Sequence, residues 1–192
     1  RSAQHRRPRP RREHRRGRHS RCARAARGAR PSRRQRQRRD EPRDQRVVHD
    51  GSAGTFFNDL EIDSSHYLAG QLFVISEENA YLNEVAGTLF VGAVVAEAGN
   101  IRLTARDTTR DDENIIVALE SSIHAPNGSV ALQAGDGLYL QGTVEASGRL
   151  FLHVDYHSAD NLGAVAMVTG DISGDRPELS GEGHGDTLDV TA

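Results

Sequence analysis

The sequence predicts an all-β protein: a parallel β-helix (β-solenoid) preceded by an arginine-rich segment expected to be disordered. Three observations carry the prediction. The phrase LFVGAVVAEAGNIRL at Leu89–Leu103 returns as LYLQGTVEASGRLFL at Leu138–Leu152, with the same apolar skeleton and no gap. Short alternations such as L-x-L, V-x-A and I-x-L, punctuated by Gly, Asn, Ser or Asp, fill the chain after Phe56. Charge and apolar residues are segregated along the 192 residues, so only one part can bury a core.

Residues 1–46 hold 20 of the 25 basic residues, all arginine, against Glu13, Asp40, Glu41 and Asp44, a net charge of +16. The remainder carries five arginines and 23 acids, a net −18, so the overall −2 describes neither part. All nine aromatic residues lie after position 55. A segment with extreme charge, scattered proline and no aromatic side chain cannot offset its ordering entropy by burial. As a nucleic-acid arm it would act through steeply salt-dependent phosphate contacts, but stacking platforms and RGG repeats are missing. It also reads as an out-of-frame translation or a misassigned start, because an Ala/Gly/Asp-rich array in GC-rich DNA yields arginine without lysine when read two bases late. Arg1, rather than methionine, at the first position fits a fragment. Residues 47–66 are expected to be a linker or a first irregular rung, and 67–192 the repeats.

In the first copy of the phrase, Leu89, Val91, Val95, Ile101 and Leu103 flank Gly99; in the second, Leu138, Leu140, Val144, Leu150 and Leu152 flank Gly148. Val117, Leu119, Ile123, Ala125, Gly128, Val130 and Leu132 form a copy between them, and Ala166, Val168, Gly170 and Ile172 a looser one after. The starts at 89, 117 and 138 are 28 and 21 apart, the difference being absorbed in the charged segment Arg106–Asn114, which reads as a surface loop. Period-two alternation means strands, and a repeat of about 20 residues built from short strands means a solenoid. One coil cannot seal its few aliphatic side chains from water; stacked at about 4.8 Å on another, it pairs its backbone and packs like on like. Small residues such as Ala93, Gly142, Ala125 and Ala146 suit tight corners, and Gly99, Gly128 and Gly148 mark turns where positive φ is expected. An antiparallel sandwich is the competing architecture, but strong hairpin turns are scarce.

Composition excludes several classes. Cys22 is the only cysteine, so neither an intrachain disulfide nor a thiolate metal cluster can form. No apolar run approaches the roughly 18 residues of a membrane span, and no signal peptide is visible.

From about Gln71 to Ala192 the text resembles the repeat regions of giant bacterial surface adhesins of the filamentous-haemagglutinin-like kind. The matching phrases are GNIRLTAR, ENIIVALESSIHAPNGSVALQAGDGLYLQGTVEASG and HVDYHSADNLGAVAMVTGDISG. The resemblance implies right-handed parallel β-helices and a secreted or outer-membrane-associated cell-surface location. It also implies a host or neighbouring-cell surface, or extracellular matrix, as partner. The ending LSGEGHGDTLDV is similar to a transition toward Asp/Gly-rich calcium-binding repeats, although Glu182 and His184 stand where that pattern has glycine.

Candidate chemistry is sparse. Asp160, Asp186 and Asp189 are the calcium candidates by ligand type, as are Asp107, Asp111, Asp112 and Glu113 in the insertion, with Asp171 and Asp175 further on. His153, Asp155 and His157 in HVDYH would share one face of a strand and supply a zinc set by ligand type. Same-face neighbours stand nearly 7 Å apart, too far for one ion without a bend, so no metal site is assigned. No paired carboxylates recur at matched positions for glycoside hydrolysis, no G-x-S-x-G elbow occurs, and SGEGHGD lacks the lysine of a phosphate loop. His66 and His124 stand alone.

The expected function is therefore that of a non-catalytic rigid shaft from a large secreted or cell-surface bacterial repeat protein, without a cofactor and stacked on further rungs of its parent chain. The alternatives are a β-helical carbohydrate-active enzyme, which would align acidic, basic or aromatic residues along one sheet face, and a nucleic-acid binder using the arginine arm.

Overall fold

Each L-x-L or V-x-A unit forms an extended segment with one wet and one buried face, and the segments pair side by side in parallel. The computed structural model describes residues 45–64, 70–110, 112–157, 163–182 and 187–190. Among these residues it contains thirteen strands and no helix. In order they are β1 (Gln45–His49), β2 (Leu60–Ile62), β3 (Leu72–Ser76), β4 (Ala80–Glu84), β5 (Leu89–Ala96), β6 (Ile101–Ala105) and β7 (Ile115–Ala125). There follow β8 (Val130–Ala134), β9 (Gly137–Leu140), β10 (Thr143–Val154), β11 (Val165–Val168), β12 (Ile172–Gly181) and β13 (Thr187–Val190). All belong to one parallel sheet that curls into a half-barrel. The antiparallel sandwich is thereby excluded; the single antiparallel contact described is an isolated bridge between Thr55 and Asn58.

Three ladders make up the sheet. In the first, the starts of β5 and β7 pair and continue through β9, β11 and β13, aligning Val91, Val117, Leu140, Val168 and Val190. In the second, β1, β3, the ends of β5 and β7 and the starts of β10 and β12 align Val74, Val94, Ile123, Val144 and Ile172. The third runs β2, β4, β6, β8, β10 and β12, and puts six leucines in one register line: Leu60, Leu82, Leu103, Leu132, Leu152 and Leu179. Leu82, Leu103 and Leu132 are fully buried, and each such side chain contributes roughly 1.5–3 kcal/mol by leaving water. Identical residues stack because each layer repeats the shape of the one beneath it.

The repeat spacing differs from the sequence expectation in three places. The middle copy begins at Ile115, which pairs with Leu138, while Val117 pairs with Leu140. Leu119, expected to match Leu140, projects outward with 79% of its surface exposed. Val94, not Val95, is the counterpart of Ile123 and Val144, because β5 takes three steps from Val91 where the later copy takes four from Leu140. Gly99, Gly128 and Gly148 are glycine for want of room: a Cβ on Gly128 would stand 2.0 Å from the Gly99 carbonyl oxygen. Among the described residues, the glycines with positive φ are instead Gly51, Gly54 and Gly87.

Beside that glycine corner runs a polar relay between the second and third ladders. The Asn79 amide donates to Ser52 Oγ (3.3 Å), Asn100 N to Asn79 Oδ1 (2.9 Å), Ser129 N to Asn100 Oδ1 (2.8 Å) and Arg149 N to Ser129 Oγ (3.0 Å). Each side chain satisfies a backbone donor of the next layer, a need that any turn leaving a sheet must meet.

The sheet already includes Gln45–His49, which pair with Leu72–Ser76, so the region expected as linker or irregular rung is joined to the ladders. The rest of the arginine-rich leader lies outside the described residues. Among the described residues, no helix is long and apolar enough to cross a membrane.

Candidate functional site: a polar groove on the third ladder

Outward-facing residues of the third ladder fall into register as the leucines do. Glu61, Asn83, Thr104, Gln133 and His153 occupy one line, each directly after a leucine of the inner line. The Thr104 hydroxyl donates to Gln133 Oε1 at 3.0 Å, linking two layers across the row. Successive positions are about 4.8 Å apart, the spacing of neighbouring strands.

Glu61, Asn83, Thr104 and Gln133 of this row floor a groove of about 410 Å³. One wall is the turn between Thr55 and Asn58, closed by their reciprocal backbone hydrogen bonds, which leaves Phe56 and Phe57 at its tip. Phe57 is 94% exposed and Phe56 65%. Arg102 braces the turn: its Nη2 donates to the Phe56 carbonyl at 3.0 Å, its Nε to Asp59 Oδ2 at 3.0 Å, and its other contact is with Asp59 Oδ1. The guanidinium also lies 4.7 Å from the Tyr81 ring centre and 5.6 Å from that of Phe56, distances at which a cation is drawn to an aromatic face. The Asp59 hydrogen bond raises the Arg102 pKa above its usual value, outweighing the opposing effect of partial burial. A second, exposed pair joins Arg106 Nη2 to Glu61 at 2.9 Å. Tyr156 and His157, with ring centres 4.1 Å apart, stand at the far end.

The residues of HVDYH take separate paths. His153 lies on the outer face, with Nδ1 3.3 Å from Ser180 Oγ and Nε2 3.4 Å from Glu182. After Val154 the chain turns through positive φ at Asp155, whose side chain is buried, and again at the exposed His157, whose amide donates to Glu182 at 3.2 Å. The bend anticipated as necessary for an ion is present, but it sends Asp155 inward rather than toward the two histidines. Of the calcium candidates, Asp160 and Asp186 lie outside the described residues, as do Asp111 and His66. Asp189 sits in β13 opposite Met167.

The structure gathers a different acidic set. Asp107, Glu113 and Asp136 offer oxygens within 4.8 Å of one another. Glu113 is fully buried and Asp107 nearly so, which corrects the expectation that Arg106–Asn114 is wholly a surface loop. Oxygen-only donors suit a hard cation such as calcium. These carboxylates also have protein partners: Thr108 Oγ1 donates to Glu113 Oε1, and Glu113 N to Asp136 Oδ2 at 2.7 Å. The cluster thus ties the insertion to the turn before β9.

A separate hollow of about 700 Å³ lies at the C-terminal end, lined by Leu152 and Val168 and by Ile172 and Leu179 of β12, a strand whose residues are largely exposed. The groove was missed in the sequence, although its signal is there: a polar residue follows the second apolar position in AYLN, IRLT, VALQ and LFLH. Compared with family models, curated proteins and solved structures, the chain matches none.

Proposed function

We propose that the three ladders are the faces of a right-handed β-helix, and that this chain is a non-catalytic, adhesive shaft segment of a large secreted or cell-surface bacterial protein. The observation that carries the reading is the in-register stacking of like residues, above all the six-leucine line of the third ladder. A stack of interchangeable layers lengthens by repetition and makes a stiff projecting rod. The six strands of the second ladder, at about 4.8 Å each, span about 24 Å along the stack. The resemblance of the repeat phrases to filamentous-haemagglutinin-like adhesins supports the same reading. Partners would be a host or neighbouring-cell surface or matrix, and further layers of the parent chain. Antibodies to the chain, applied to intact and to lysed source cells, test the location: labelling of intact cells is expected, and labelling only after lysis would overturn the reading.

The groove favours a second reading, a β-helical carbohydrate-active enzyme. Its two carboxylates, Asp59 and Glu61, are each committed to an arginine, whereas glycoside hydrolysis uses a pair of carboxyl groups facing the bond between them. New reducing ends released from a panel of polysaccharides would establish the enzyme; their absence, with surface labelling, supports the shaft.

A further inference from the structure

We propose that the groove of the third ladder is a binding site for a neutral glycan, laid along the row Asn83–Thr104–Gln133 with Phe57 as a stacking platform at its edge. The proposal gives the adhesive reading its partner and rests on that reading only for its biological setting.

Four features specify the ligand class. The row places the Asn83 and Gln133 amides in register on either side of Thr104, a nearly buried residue whose hydroxyl donates to Gln133 Oε1 and sets that amide. Such groups both donate and accept, so they match an extended polyol better than an anion or an apolar chain. Their repeat of about 4.8 Å offers a fresh polar contact at each layer to any ligand running along the stack. The charges within the groove cancel, because Arg102 is bound by Asp59 and Arg106 by Glu61. A sulfated or carboxylated glycan would have to compete with those carboxylates; a neutral one leaves both pairs intact.

Phe57 supplies the fourth feature. A tight turn would ordinarily carry polar residues or glycine, yet this one holds two phenylalanines in water. The turn is not loose: the Thr55–Asn58 hydrogen bonds close it, and Arg102 clamps Phe56 from below by its carbonyl and its ring. Phe56 and Phe57 meet edge to face, with ring centres 5.1 Å apart, so Phe57 is held out with a set orientation. A ring of this kind buries apolar area against the flat C–H face of a sugar without asking for charge, while the row beside it takes up the hydroxyl groups. Small-molecule sites commonly have this division between an apolar platform and a few placed polar groups.

The test uses the full chain and, as probes, neutral linear hexasaccharides of glucose, mannose and N-acetylglucosamine, titrated by calorimetry or by NMR. Binding of at least one is expected, with little change between low and high salt because the site carries no net charge. Phe57→Ala should weaken it roughly tenfold or more, about 1.4 kcal/mol, with the thermal melt unchanged because this ring is almost wholly exposed. Thr104→Val, on the floor, should weaken it too, and a melt of that variant shows whether the fold persists. No binding of any neutral hexasaccharide, or equal binding by the native chain and Phe57→Ala, would overturn the proposal. Binding confined to sulfated glycans and abolished by salt would overturn it as well, pointing to the arginine-rich segment. Surface labelling reads a different quantity, so failure of the glycan site and failure of the shaft reading can be told apart.

Discussion

Replacing Gly128 with alanine puts one methyl group where two layers touch. The new Cβ would lie 2.0 Å from the Gly99 carbonyl oxygen and 2.5 Å from its carbon. Both are backbone atoms, so no side chain can swing aside. Gly128 does not use positive φ, and alanine can adopt its conformation. On unfolded-chain entropy alone, the substitution would therefore stabilise by about 0.4–1 kcal/mol. Space decides the sign instead. To reach ordinary van der Waals distance, the two corners must part by over an ångström, which also stretches the 2.8 Å bond from Ser129 N to Asn100 Oδ1. Overpacking of this kind costs about 1–3 kcal/mol, and the lost hydrogen bond about 1 kcal/mol more, giving a net destabilisation of about 1–3.5 kcal/mol after the entropy gain. Urea unfolding followed by far-ultraviolet circular dichroism measures it, with Gly51→Ala as a contrast: nothing lies within 4 Å of that Cβ, and its φ of 108° makes any loss there conformational. A Gly128→Ala protein as stable as the native one, or more so, would refute the claim that the glycine corner sets the layer spacing.

Leu132→Ala, in the middle of the leucine line, should cost about 2–5 kcal/mol, whereas Leu119→Ala should fall within about 0.5 kcal/mol of the native chain; equal midpoints in urea would contradict the outward placement of Leu119. Asn100→Ala removes one link of the polar relay at an exposed corner and should destabilise by about 0.5–1.5 kcal/mol, with Asn100→Asp, which keeps an acceptor, recovering part of it in the same assay. Arg102→Ala should cost about 1–3 kcal/mol through its charged hydrogen bonds to Asp59 and should increase proteolysis at Phe56–Phe57. Arg106→Ala, whose pair with Glu61 is exposed, should change stability by under about 1 kcal/mol.

Much of the architecture was legible because period-two alternation and fixed internal order survive in the text. The Leu89–Leu103 and Leu138–Leu152 phrases align with each other except between Val91 and Val94, where the second phrase takes one more residue from Leu140 to Val144, a shift that leaves no visible marker in sequence. Leu119 misled because an apolar residue two positions after Val117 continues the alternation, and only the turn of the chain before Ser121 puts it outside. The glycine corner was located correctly but for another reason: sequence marks where a side chain is missing, not whether dihedral freedom or room demands it. The groove was not legible as a site, since its row comes from four strands 20 to 30 residues apart and its meaning depends on their register. The Asp107–Glu113–Asp136 cluster was half visible, because Asp136 approaches the insertion only once β8 is in place.

The relay from Ser52 through Asn79, Asn100 and Ser129 to Arg149 joins positions separated by 27, 21, 29 and 20 residues. Each hand-over is made at the same corner whatever the length of chain between, so the corner acts as an index mark against which every turn is reset. Excursions such as Arg106–Asn114 can then grow or shrink elsewhere on the circuit without passing their misalignment to the next turn. Length is thereby decoupled from alignment, and surface features can be exchanged turn by turn while the interior keeps its count.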